Sequence, residues 1–344
     1  MPQHKQLSRR NFIKIFAAST VMVSAAGAVL KLGVDPSTAQ ANAHTATATR
    51  MLMGTVVNLT ILSDDPATAQ ATIEATLSRM ADLETQLSRH QPNSQLSRLN
   101  LHGELADAGQ ALLTMLAQAH DLSVRSGGAF DITVKPLVDL YEAHLATNTL
   151  PTAAQVEQTL SRVDYRQIRV DGRHVAFQQP GMAITLDGIA KGFIVDEGIA
   201  VLEQAGFANV LVEAGGDLMA AGQKGDQPWQ IGLQSPRQGT QAQSLLGKFA
   251  VCNQAAATSG DYMQPYSADL RQHHILDPRQ GYSAPELASA TVIAPSAMLS
   301  DGLATAVMVL GSSAGLALVE SLPGCEAYVV SKTLAVTTTA GFSL

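Results

Sequence analysis

Residues 53–62, M-G-T-V-V-N-L-T-I-L, alternate apolar and polar side chains around β-branched residues, which predicts a half-buried strand. From Pro66 the period becomes helical, with Ile73, Leu77, Met80, Leu83 and Leu87 on one face, and predicts a helix over 66–87. Residues 88–107 are polar and irregular. A second helix is predicted over 109–126 from Leu112, Leu113, Leu116 and Leu122, stopped by Gly127-Gly128. Ala129-Phe130-Asp131 reads as a loop, followed by weaker helices over 135–145 and 152–162, the latter capped by Thr152. Short strands are predicted over 167–171, 174–178, 183–186, 209–213, 229–235, 247–253 and 289–294. Helices are predicted over 188–206 and 296–310, with a short helix and a terminal strand pair closing the chain. This mix predicts an α+β fold, with mixed, largely antiparallel sheets packed with helices, rather than a doubly wound parallel sheet.

The first 43 residues follow another pattern. Residues 8–14, S-R-R-N-F-I-K, have the twin-arginine export form, an uncharged stretch covers 15–30, and A-Q-A and A-N-A sites occupy 39–41 and 41–43. The expectation is a cleaved signal over 1–43, a Thr/Ala-rich linker over 44–50 and a working domain over 51–344. A retained N-terminal anchor is the alternative, although the stretch is shorter than the roughly 20 residues of a full span. After cleavage no stable membrane insertion is expected, and no cysteine stands near the cleavage region to take a lipid. Taking the segment's five Lys/Arg and one Asp from the chain's 22 and 29 leaves 17 basic and 28 acidic residues, a net of about −11. That charge disfavours nucleic acid and anionic lipid as partners. Cys252 and Cys325 are either two buried thiols or, in an oxidising compartment, a pair.

Two segments carry candidate chemistry. L-D-G-I-A-K-G-F over 186–193 puts Asp187, a small-residue turn and Lys191 at a helix start, where free N–H groups suit a phosphate. S-D-G-L-A-T over 300–305 puts Asp301 and Thr305 at i and i+4, on one helical face. Hard oxygens so grouped suit Mg²⁺, which takes few carboxylates together with substrate phosphates. Taken alone, each segment is more often a helix cap with a solvated face.

These segments, together with M-G-T (53–55), S-G-G-A-F-D (126–131), E-A-G-G-D-L (213–218), W-Q-I-G-L-Q-S-P (229–236), A-T-S-G-D-Y (257–262) and H-H-I-L-D-P-R-Q-G (273–281), occur in an order that resembles the ApbE family of FAD:protein FMN transferases. The resemblance covers nearly all of the chain after residue 50. It implies an enzyme that splits the pyrophosphate of FAD with Mg²⁺, joins FMN to a threonine hydroxyl of an acceptor protein with an FMN-binding domain, and releases AMP. It implies metal ligation by Asp301, Thr305 and the carbonyls of Ala190 and Ala304. It also implies flavin contacts at Met53, Ala129, Phe130, Asp131, Asp187 and Ile275. Lys191 would face phosphate or an acidic partner. His274 would handle a proton or touch phosphate, or be a satisfied structural histidine. Gly215-Gly216 read as a turn, and Thr258-Ser259-Gly260 as a phosphate cradle or a tight turn.

His90 departs from the family, standing where an aromatic that stacks on flavin is usual. Asn93, Met263 and Gln280 depart too. These positions bear on the grip on substrate, because the metal residues are intact. Two other functions stay open: a hydrolase giving FMN and AMP, and a non-catalytic flavin carrier. A mere carrier has no need of Asp301 and Thr305 beside a pyrophosphate.

Overall fold

The computed structural model describes residues 44–147, 149–237 and 245–344. The expected export signal lies outside the described residues. An eight-stranded antiparallel sheet runs in the order β1-β2-β6-β7-β10-β11-β12-β13. Its strands are β1 His44–Leu52, β2 Thr55–Ser63, β6 Val210–Ala214, β7 Asp217–Ala221, β10 Gln254–Gly260, β11 Leu287–Ala294, β12 Glu326–Ser331 and β13 Val336–Thr338. A small sheet joins β3 Glu104–Leu105, β5 His174–Phe177 and β4 Ile168–Asp171, and β8 Trp229–Gln234 pairs with β9 Leu245–Val251. Seven α-helices complete the described fold: α1 Pro66–Leu87, α2 Gln95–His102, α3 Gln110–Arg125, α4 Lys135–Leu145, α5 Ala153–Leu160, α6 Ala190–Gln204 and α7 Ala297–Glu320. This is the antiparallel α+β architecture expected.

Residues 44–50, expected as a linker, are instead most of strand β1, paired along its length with β2. The Thr-Ala alternation is a period-two pattern whose β-branched threonines suit an edge strand. Besides β1, three strands escaped prediction: the two-residue β3 within the stretch read as irregular, and β7 and β10, because D-L-M-A-A and Q-A-A-A-T-S-G carry few β-branched or aromatic residues. The structure shows no strand over 183–186, and α2 occupies part of the stretch read as irregular, capped by Ser94. The helix expected over 296–310 continues to Glu320 across a kink at Gly311, whose φ of 80° lies in the left-handed region.

Helix α7 is long and apolar enough to cross a membrane by length and composition alone. In the fold its apolar residues are core: Leu303, Ala306, Val307 and Met308 are fully buried, together with Ile189 and Val195 of the α6 segment and Val212, Ala290 and Val292 of the large sheet. A helix apolar on nearly all sides requires such burial. Helices α6 and α7 cross at Gly192, where a Cβ would lie 2.2 Å from Ala297 O. That contact brings the starts of both helices together and creates the site.

Candidate active site

At the start of α6, Ile189 N–H and Ala190 N–H both donate to Leu186 O, at 3.0 and 2.8 Å. Gly192 N–H, in the same first turn, donates to Asp301 Oδ2 of α7 at 3.1 Å. Asp301 therefore sits at the positive end of α6, where a carboxylate is stabilised. Thr305 is one turn further along α7, its Oγ1 3.4 Å from Ser259 Oγ on β10. A Cβ at Gly188 would be 3.0 Å from Thr305 Oγ1 and 3.4 Å from Phe130 Cε2, so the glycine keeps a space open between hydroxyl and ring. Phe130 and Ala304 are buried, and Ala190 is half-buried at the head of α6. The structure thus brings together Asp301, Thr305, Ala190, Ala304 and Phe130 from three stretches of sequence.

Lys191 was expected to face phosphate or an acidic partner. Its ammonium pairs with an acidic side chain of the same chain, Asp217 of β7, a fully buried carboxylate. Burial holds Lys191 below the usual lysine range, while Asp301 and then Glu213 act against that shift. Burial likewise raises Asp301, against the pull of Lys191 and the Gly192 N–H, with Asp187 adding repulsion. A carboxylate in this setting gains from a further cation. Sequence reasoning missed Asp217, whose only signal was its place after Gly215-Gly216. Those glycines form the β6–β7 turn, with φ of 58° and 102°.

Asp187 is half-exposed, and its Oδ2 accepts from Arg89 Nε at 2.8 Å, while Arg89 also reaches Glu142 at 3.2 Å. His90, beside Arg89 in the chain, is exposed, which leaves its ring free to meet a ligand. Asp131 was expected to contact flavin, yet both its oxygens are used internally: Oδ1 accepts from Thr133 N and Oγ1 at 2.8 and 2.6 Å, and Oδ2 from Tyr165 N at 3.0 Å. It caps the short helix Ile132–Val134 and holds the Ala129-Phe130 turn in place. Met53, with φ of 53°, is fixed in the β1–β2 turn by its N–H to Glu84 Oε2 at 2.8 Å. Thr258, Ser259 and Gly260 form neither a cradle nor a turn, since all three lie in β10.

His274 is held through its backbone N–H to Gln264 O at 3.1 Å, and Ile275 beside it is buried. Its Nδ1 is buried with no hydrogen-bond partner. Burial, then the neighbouring His273, push its pKa down to about 4, with Asp187 among the groups opposing. The ring is therefore neutral at ordinary pH, with an orphaned nitrogen. Cys252 and Cys325 are free thiols. Among the described residues no cluster of three His, Cys, Asp or Glu could hold a metal. A set of one carboxylate, one hydroxyl and backbone oxygens is of another kind, and it fits a hard cation that shares its shell with substrate phosphate.

Residues 53–329 match the ApbE family. The FAD:protein FMN transferase of Vibrio cholerae is 30% identical over 277 residues, covering 78% of this chain and 82% of that protein. The FAD:protein FMN transferase of Haemophilus influenzae is 31% identical over 282 residues, covering 78% and 81%. Among solved structures, the ApbE protein of Thermotoga maritima superimposes with a TM-score of 0.78 at 28% identity, over 86% of this chain and 97% of that one. The flavin transferase ApbE of Vibrio cholerae gives 0.74 at 28% identity, over 87% and 98%.

Proposed function

The chain belongs to the ApbE family, and on that premise we propose that it is an FAD:protein FMN transferase acting on a threonine hydroxyl of a partner protein, with AMP as the other product. One observation carries the reading: Asp301 is buried between the starts of α6 and α7, one turn from Thr305, beside the opening kept by Gly188. Asp301, Thr305 and the carbonyls of Ala190 and Ala304 would hold Mg²⁺. When bound, the ion would draw charge from the pyrophosphate oxygens and lower the repulsion that an approaching hydroxyl meets.

The protein's own part is positioning. Phe130, Ile275 and exposed His90 offer apolar and stacking surface for the flavin half, and Asp187, oriented by Arg89, offers an acceptor. The threonine oxygen bonds to the FMN-side phosphorus while the bridging P–O bond breaks, and AMP leaves with the bonding electrons. His274, whose ring is neutral, is the candidate acceptor of the hydroxyl proton. Water in place of threonine would give FMN and AMP, so hydrolysis is a side reaction of the same site. The acceptor carries the threonine on an FMN-binding domain, and the enzyme works in the periplasm after twin-arginine export.

Release of AMP from FAD, followed chromatographically with and without a divalent-ion chelator, tests this reading. AMP should appear only with Mg²⁺, and Asp301→Ala should abolish it while keeping a native circular dichroism spectrum. Chelator-resistant AMP release, or full activity of the variant, would refute the site.

A further inference from the structure

Asp196 lies on α6 one turn after Gly192, and both its carboxylate oxygens are engaged. Oδ1 accepts from Ala297 N–H at 2.7 Å and Oδ2 from Met298 N–H at 2.8 Å. These are the first two residues of α7, whose free N–H groups seek an acceptor. Ser296 Oγ takes the third, from Leu299, at 3.3 Å. One turn along α7 from Ala297 is Asp301, which accepts from Gly192. The two helices therefore exchange caps: Asp196 of α6 caps α7, and Asp301 of α7 caps α6. Gly192 and Asp196 share a face of α6, and Ala297 and Asp301 share a face of α7, each pair at i and i+4. Residue 192 meets 301 while 196 meets 297, so the two rungs are antiparallel and about 6 Å apart along each helix.

This arrangement leaves the start of α7 no freedom to slide on α6. The Gly192 contact blocks approach, since a Cβ there would already overlap the Ala297 backbone. The Asp196 rung blocks separation. We propose that Asp196 is a positioning residue for the reaction, fixing the Asp301 carboxylate by anchoring the first turn of α7. The proposal rests on the reading that Asp301 ligates a divalent cation. Groups that orient a metal ligand without touching the metal typically affect affinity roughly 10- to 100-fold.

The test uses the full chain and Mn²⁺ alone, with free Mn²⁺ followed by electron paramagnetic resonance and unfolding by urea measured on the same samples. Asp196→Asn keeps the shape but turns an NH₂ toward one of the two N–H donors. It should weaken Mn²⁺ binding roughly tenfold or more while Asp301→Ala removes it. If Asp301→Ala binds Mn²⁺ like wild type, the metal reading fails and this inference falls with it. If Asp301→Ala loses binding but Asp196→Asn keeps wild-type affinity and is only less stable, Asp196 is merely structural and the inference alone is wrong. Should Asp196→Asn not fold, hydrogen exchange on the wild-type chain decides. Saturating Mn²⁺ should slow exchange of the Ala297 and Met298 amides, because coupling between the rungs is reciprocal. Unchanged exchange at both would overturn the proposal.

Discussion

Replacing Gly192 with alanine sets two effects of opposite sign against each other. Alanine in place of a helical glycine contributes about 1 kcal/mol of helix stability. Against that, the new Cβ would lie 2.2 Å from Ala297 O, 2.5 Å from Ala297 C and 2.8 Å from Met298 Cα. Ordinary contact lies near roughly 3.5 Å, so α6 and α7 must part by about 1 Å at a place where only backbone can yield. Overpacking of this kind costs about 1–3 kcal/mol. Parting the helices also stretches the 3.1 Å bond from Gly192 N–H to Asp301, a charged acceptor whose loss costs about 1.5–3 kcal/mol. The clash wins, and Gly192→Ala should be destabilised by about 2–4 kcal/mol in urea unfolding, with FAD cleavage largely lost. Gly198→Ala is the control on the same helix. Its Cβ would meet Met80 Sδ at 3.2 Å, the flexible end of a side chain, and Thr76 Cγ2 at 3.4 Å. That variant should stay within about 1 kcal/mol of wild type, since crowding and helix gain offset each other. If Gly192→Ala is as stable and active as Gly198→Ala, the close crossing of α6 and α7 does not hold the site.

Three further outcomes follow from other residues. Asp261 is fully buried and receives both Arg237 nitrogens at 2.7 and 2.8 Å, with Lys332 at 3.8 Å. Arg237→Ala leaves that carboxylate to Lys332 alone and should lower the unfolding free energy by about 2–3 kcal/mol, allowing for the partial exposure of the guanidinium. Burial lowers His274 from 6.5 to about 4, so its share of stability is full above about pH 6.5 and lost as pH falls through about 4. Burial raises Asp196 from 3.8 to about 6, so its share is full below about pH 3.8 and lost as pH rises through about 6. Each effect is of order 2–3 kcal/mol, and the two oppose. Urea unfolding from pH 4 to 6.5 should show stability rising with pH in Asp196→Asn and falling in His274→Asn, and identical profiles would refute both assignments. Finally, His90→Tyr should tighten FAD binding without raising the rate of cleavage, because stacking remote from the pyrophosphate acts on the ground state. Equal or weaker binding in a titration would remove His90 from the flavin site.

Legibility in the sequence tracked how local each cause is. Helix α1 could be read to its ends because Pro66 and a five-residue apolar stripe act within the segment, and Asp65 caps it through Ala67 and Thr68. The α5 start was equally plain, with Thr152 and Gln155 forming a capping box. Strands β7 and β10 were invisible because their identity comes from neighbours in the sheet, not from β-branched side chains. Asp301 and Thr305 could be placed on one face because helical spacing is local, while their metal role was read from the order of the motifs along the chain. Asp217 and Asp196 were not, because their partners lie 26 and 101 residues away. Asp131 was legible as a motif residue, but its part as a cap to Thr133 and Tyr165 emerges only from the folded turn.

The central claim is that FMN from FAD is joined to a protein threonine at the α6–α7 site. The most direct measurement is the intact mass of an acceptor domain bearing one candidate threonine, after incubation with the purified chain, FAD and Mg²⁺. The expected result is an added mass of FMN less water, AMP released in equal amount, and no adduct on the threonine-to-alanine acceptor or with Asp301→Ala. Free FMN and AMP with an unmodified acceptor would contradict it and make the protein a hydrolase.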